Sequence, residues 1–484
     1  MSTPSTDVRP VAPIGVGAIV GLLVCVEFAS GILQGYYTPI YTNLAHHLSI
    51  RTGDVNWFEA AQLIVSALAL PPLARLGDMV GHKRVLVIAT AVTALGSWWL
   101  VLAPSFGTFL AGWAIQGAYT VWLPLEVAIV YGRTGGDQRL TRRAAAVLVG
   151  VLELSVIVGA GLSGALVDGL PMSVVLAIPA LAVTAVLVVV AVGLEDTPGT
   201  GSGAFDWSGT AVLTLLLGLV MGGLVAVRVQ GPGSWLAWTL VALGLLACLP
   251  FWRVESRAAT PLVDVRLLAT RGQWPVQVAS GLFGMSVLGA QIPLSTFART
   301  KPSVAGYGLG AGAGFVSVLI AVYVIVMAVG AFGYPVLSRR LGPVGALVAG
   351  SVLVAAGYAA WLPFHAHTWQ GLVNMAIAGL GSGALVAALP ATAAGAAPPE
   401  HTAFATGMTN ATKTVGGAVA SAIFAIALAA TGSIADPKRG HAPLSGYLTV
   451  WAVCAAAALV AAAVLAGAAR TRTYESPERP SAPA

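Results

Sequence analysis

The sequence predicts an all-α polytopic membrane protein, and three observations carry that reading. Only 9% of the 484 residues are charged and the mean hydropathy is +0.86, whereas soluble domains carry about a quarter charged residues. Apolar runs recur at the length a membrane helix needs, about 20 residues. The cations collect in short loops between those runs, so the net charge of +6 is a topology signal and not a nucleic-acid surface.

Taken in order, fourteen spans are expected, at about 14–36, 55–74, 84–104, 108–131, 144–168, 171–193, 208–229, 234–252, 273–298, 311–337, 342–363, 369–392, 403–430 and 446–469. An even number puts both termini on one side, and the basic loops make that side the cytoplasm. The inner loops then hold Arg75, Lys83 and Arg84, the Arg133–Arg143 group, the Arg253–Arg271 group, and Arg339 with Arg340. The outer loops hold Arg51, Arg228, Arg299, Lys301, Lys438 and Arg439. The first dozen residues are polar and the first apolar run is long enough to span, so no cleavable leader is expected. Cys25, Cys248 and Cys454 fall inside apolar runs and read as small buried side chains.

Two halves are visible. Gly117 to Pro124 in span four has a counterpart in Gly383 to Pro390 in span twelve, and the loop around Asp78–Gly81 recurs weakly as Arg339-Arg340-Leu341-Gly342. Internal repeats of this kind place a binding site between the halves of a transporter. The expected layout is a cytoplasmic tail over 1–13, a six-helix bundle over 14–193, a linker with two extra helices over 194–272, a second six-helix bundle over 273–469 and a cytoplasmic tail over 470–484.

The most distinctive stretch is Ala74–Leu86. Gly77 and Gly81 permit a tight turn, and Asp78 stands among Arg75, Lys83 and Arg84. This resembles the G-x-L-A-D-x-x-G-[RK]-[RK] loop between helices 2 and 3 of the major facilitator superfamily, matching at Leu76, Asp78, Gly81, Lys83 and Arg84. Trp57 through Pro71 to Asp78 is similar to the spacing in that superfamily's fourteen-span drug:proton antiporters. So are Phe205-Asp206-Trp207-Ser208-Gly209, Glu255-Ser256-Arg257 with Pro261-Leu262-Val263-Asp264, and Gly407 to Gly417 with Asn410 and Lys413. The resemblance implies a proton-coupled exporter of amphipathic organic molecules, working by alternating access as a monomer in the plasma membrane, with no cofactor and no nucleic acid. The gate of that exporter would be the 75–84 loop.

The chain also departs from the pattern. Trp113 stands where span four would carry the arginine tied to proton movement, ahead of Gln116-Gly117. Span five reads Gly159-Ala160-Gly161-Leu162-Ser163-Gly164 without the usual proline. A uniporter or an importer of a small metabolite therefore stays open as an alternative.

Carboxylates inside a bilayer are costly and are functional candidates by default. Four fall within spans: Glu27, Glu59, Glu126 and Glu153. Glu59 reaches the outer interface, which leaves Glu27, Glu126 and Glu153 with Lys413 as the proton or substrate set. Each could instead be a neutral acid bonded to a backbone carbonyl. Gly159, Gly161 and Gly164 give span five a face for close helix packing. Trp113, Gln116, Tyr119, Trp122 and Asn410 are candidates for lining a cavity, while Trp98 and Trp99 also suit an interfacial anchor. The histidines are dispersed and no metal-ligand cluster is readable, and no phosphate-cradling glycine loop occurs, so a membrane enzyme or an ATP-driven pump is disfavoured.

Overall fold

The computed structural model describes residue 17 and residues 20–135, 137–196, 199, 206–258, 261–398, 401–429 and 442–474; Phe205, Lys438, Arg439 and the expected N-terminal tail lie outside them. Within that set the regular structure is entirely helical. The first half contains α1 (Leu23–Tyr36), α2 (Tyr41–His47), α3 (Asn56–Val80), α4 (His82–Leu102), α5 (Phe106–Gln116), α6 (Trp122–Arg133), α7 (Gln138–Leu166) and α8 (Met172–Gly193). The linker holds α9 (Trp207–Gln230), α10 (Trp235–Leu246), α11 (Cys248–Glu255) and α12 (Val265–Leu268). The second half contains α13 (Trp274–Val287), α14 (Gln291–Arg299), α15 (Pro302–Ala305), α16 (Ala313–Ala360), α17 (Thr368–Gly395), α18 (Thr402–Leu428) and α19 (Leu444–Tyr474).

Helix starts follow the local chemistry. Asp137, Asp206, Ser234 and Asp264 each accept a backbone N–H at the N-terminus of α7, α9, α10 and α12, which satisfies donors a helix leaves unpaired. Large apolar side chains face outward, Phe332, Val192 and Leu102 among them, as a lipid-facing surface requires. Exposed Trp207, Trp235, Trp274 and Trp369 stand at the starts of α9, α10, α13 and α17, where indole rings anchor at a bilayer boundary.

Among the described residues twelve helices are long and apolar enough to cross a membrane. One of them, α16, has 48 residues, about 72 Å at 1.5 Å per residue and more than twice a hydrocarbon core of ~30 Å. It breaks at Gly342, whose φ of 75° and ψ of 165° are not helical. The chain doubles back there. A Cβ added at Gly379 would lie 2.8 Å from the Tyr323 carbonyl oxygen, while one at Gly357 would lie 2.7 Å from the Ala378 Cβ. Residues about equally far on either side of the Arg340 region thus meet one level of α17. The two legs cover the stretches expected as separate spans at 311–337 and 342–363. Helix α1, with 14 residues, continues through a 3₁₀ turn at Thr38–Ile40 into α2.

The two halves repeat one packing device. In the first, a Cβ added at Gly117 would lie 2.8 Å from the Gln62 carbonyl oxygen of α3; in the second, Gly383 of α17 abuts the Met327 carbonyl of α16. Both basic loops turn on a glycine with positive φ, Gly81 at 105° and Gly342 at 75°, a conformation that side chains with a Cβ disfavour. Each half has its own apolar core. The linker closes on itself: Asp206 caps α9, Glu255 accepts from the Val263 amide at 2.9 Å, and a Cβ at Gly209 would collide with both carboxylates.

Candidate functional site

Helix rotation in the first half brings Glu27 of α1 against Glu126 of α6. Both carboxyl groups are fully buried. The two side chains are near neighbours, and none of their four oxygens has a hydrogen-bond partner among the described residues. Two ionised carboxylates cannot share such a site without a compensating charge.

Around this pair runs a buried polar and aromatic network. Tyr119 lies near Glu27, Glu59 and Tyr37, and Tyr41 also neighbours Glu59. Gln116 donates through Nε2 to the Tyr37 hydroxyl at 3.1 Å and to the Ser97 hydroxyl at 2.9 Å. The Ser66 hydroxyl donates to the Gly117 carbonyl at 3.0 Å.

A second polar group spans the two halves. Glu153 of α7 and Lys413 of α18 face each other as opposite charges but stop short of contact, and both side chains are half-buried. Tyr323 stands near Glu153 and donates to the Ser382 hydroxyl at 2.8 Å. Close by in sequence, the Thr412 hydroxyl donates to Gln277 Oε1 at 3.3 Å, and Asn410 is exposed.

The halves themselves close at the end formed by residues 38–55 and 291–299. The Ser295 hydroxyl donates to the Thr38 carbonyl, Arg299 donates to Asn43 Oδ1 at 2.9 Å, and Gly53 abuts Leu428, where an added Cβ would lie 2.6 Å from its carbonyl oxygen. Towards the middle, Leu63 of α3 reaches the Gly417 position. At the opposite end, the 75–84 loop is tied to the first half and to the start of the linker. His82 Nε2 lies 3.1 Å from Asp78 Oδ1, Lys83 Nζ lies 3.1 Å from Asp196 Oδ1, and Gly77 packs on Leu125. Arg75 is half-buried and Arg84 exposed.

A profile of the Major Facilitator Superfamily matches residues 23–297 and 276–484. The chain belongs to the major facilitator superfamily. Among curated relatives, the uridine/deoxyuridine transporter of Lactococcus lactis subsp. cremoris is 26% identical over 401 residues, covering 76% of this chain and 80% of that one. The tetracenomycin C resistance and export protein of Streptomyces glaucescens is 24% identical over 81% of this chain and 72% of its own. The cephamycin export protein of Amycolatopsis lactamdurans is 30% identical over 74% and 73%. Solved structures agree on the fold. A peptide transporter of the POT family superposes with a TM-score of 0.67 at 16% identity, covering 96% of this chain and 99% of its own.

Within this major facilitator fold, several expected site residues sit elsewhere than their sequence role implied. Trp113 and Trp122 do not line an open space. Trp113 is packed 4.5 Å from the Tyr37 ring centre with Phe58 and Phe109 around it, and Trp122 is fully buried beside Tyr119. Gln116 is equally buried, as a hydrogen-bond hub. Of the cavity candidates only Tyr119 and Asn410 keep exposed surface. The three glycines of α7 do not share one face. A Cβ added at Gly159 would lie 3.1 Å from the Ile32 Cα of α1, one at Gly164 would run into Ser317 and Ala313 of α16, and one at Gly161 would meet nothing within 4 Å. Gly31 and Gly35 of α1, which meet Leu152 and Val156 of α7, complete that contact.

The sequence reading missed one pair outright. Arg228, counted among the outer-loop cations, is buried with Asp54 in a two-pronged ion pair: Nε to Oδ1 at 2.9 Å and the terminal NH2 to Oδ2 at 2.9 Å. The only sequence signal was two lone opposite charges at span ends on the same expected side.

Proposed function

We propose that this chain is a secondary transporter that exchanges protons for amphipathic organic compounds, exporting them by alternating access across the cell membrane. The Glu27–Glu126 pair carries the reading: a buried carboxyl pair with no other partner is a place where a proton is held in one state of the cycle and released in another. Two α16 legs together with α1 bring the crossings to fourteen, as in the drug:proton antiporter branch, with both termini cytoplasmic. The 38–55 and 291–299 end is then the outer gate, closed in this conformation. Asp78 with His82, and Lys83 with Asp196, belong to the inner gate.

Substrate binds between the halves, where Glu153 and Lys413 present opposite charges with a gap between them. A cationic substrate group takes Glu153, and Lys413 tunes how strongly. The working unit is a monomer, and its partners are the organic substrate, protons and lipid. The test is uptake into inverted vesicles with an acid interior, using a panel of dyes and antibiotics. Accumulation that collapses on adding a protonophore supports the reading, and accumulation indifferent to it overturns the reading.

A second reading, import of a polar heterocyclic metabolite, is favoured by the similarity to the uridine/deoxyuridine transporter. Saturable uptake of labelled uridine by whole cells, with no efflux of the panel, would select it.

A further inference from the structure

The linker helix α9 touches both halves where they meet. Its Leu224 packs in one cluster with Trp57 and Ala60 of α3 and with Ala422 and Ala425 of α18. The two contacts differ in kind. On the first-half side, Arg228 of α9 is locked to Asp54, in the 3₁₀ turn Thr52–Val55 that leads into α3, and both side chains have at most 1% of their surface exposed. On the second-half side the surface offered to α9 is purely apolar, Ala422 and Ala425 with Ile423 and Ile426 beside them. A desolvated two-pronged ion pair is directional and leaves two buried charges behind when broken. An apolar face carries no charge and no hydrogen bond to break as it moves.

From this asymmetry we propose that α9 to α11 form a rail fixed to the first half, positioned by Arg228 and Asp54, along which α18 slides as the halves rock. The proposal rests on the alternating-access reading above. It makes Arg228 and Asp54 positioning residues: they touch no substrate, and they decide with which half the extra helices travel. It also gives the two extra helices a task, since they cover the seam between α3 and α18 while that seam moves.

The experiment uses the full chain in membranes, with Cys25, Cys248 and Cys454 replaced by serine. Two cysteine pairs are compared, Leu224→Cys with Trp57→Cys, and Leu224→Cys with Ala425→Cys. Crosslinking by a short bifunctional maleimide is scored with and without an imposed pH gradient. The expected result is an unchanged yield for the Trp57 pair and a severalfold change for the Ala425 pair. Equal behaviour of the two pairs, whether constant or changing together, overturns the rail.

A second arm adds Asp54→Asn with Arg228→Gln, which removes both charges at once and so avoids stranding one of them. The Trp57 pair should then become gradient-dependent as well. If it stays constant, the ion pair is not the anchor and the assignment is wrong. Crosslink yields need no transported substrate, so a failure of the export reading shows up separately, as a panel that the unmodified chain does not move.

Discussion

If the Glu27–Glu126 pair exchanges a single proton in each cycle, that proton sets a ceiling on what the chain accumulates. One pH unit is worth about 1.4 kcal/mol per proton, a tenfold concentration ratio. With the membrane potential clamped at zero, a neutral substrate exchanged for one proton should reach about a tenfold gradient per pH unit, against about a hundredfold for two protons. Glutamine keeps the size of glutamate but carries no exchangeable acid proton. Glu126→Gln should therefore bring the ratio down to about one while substrate exchange at equal pH continues. Glu126→Asp retains the acid, so it should slow transport yet keep the tenfold ratio. Inverted vesicles loaded with labelled substrate, read at steady state, measure all three. A Glu126→Gln protein that still accumulates tenfold would place the proton elsewhere. A hundredfold wild-type gradient would show that the pair does not set the stoichiometry.

Because Glu153 is the group that meets a cationic substrate, Glu153→Gln should weaken transport of cationic substrates more than of neutral ones, with or without Lys413→Gln, read from initial rates. A valine at Gly159 must displace the α1 backbone and should cost about 1–3 kcal/mol, seen as a lower melting temperature in detergent, whereas Gly161→Val should be neutral. Asp78→Asn should impair turnover without loss of membrane insertion, because a loop contact is lost and not a span. Burial pulls the Asp206 carboxyl upward, but the Gly209 amide, the Ser208 hydroxyl and the Leu262 amide outweigh it and hold the group below the usual carboxylate range. Its stabilising effect on the start of α9 is present above the ordinary aspartate pKa and should fade as pH falls through the lowered value; Asp206→Ala should flatten that acid limb of the melting curve.

The architecture was legible because a bilayer imposes long apolar runs, and because the 77–81 loop needs specific glycines. The site was half legible. Glu27 and Glu126 stood out singly as costly charges, but that they face each other depends on helix rotation, which a run apolar on every side does not encode. Trp113 shows the same limit. Its place matches a cavity position in sequence, yet its ring points into a stack with Tyr37 and Phe58. Gly159 and Gly164 are five residues apart, about 140° around the helix, which is why they meet different neighbours. Arg228 and Asp54 lie 174 residues apart, and hydropathy windows assign such end-of-span charges to loops.

Two contacts that join the halves share a feature with consequences for how this chain can evolve. Ser295 donates to the carbonyl of Thr38, and Ser317 donates to the carbonyl of Ala160. In each case the acceptor is main chain, which every residue type supplies. Substitution at 38 or 160 leaves the acceptor in place, while loss of either serine hydroxyl removes the bond. The constraint is thus one-sided: positions 295 and 317 should tolerate little exchange while their opposite numbers drift. Correlated substitution between partners, the usual trace of a contact, would leave these two junctions unmarked.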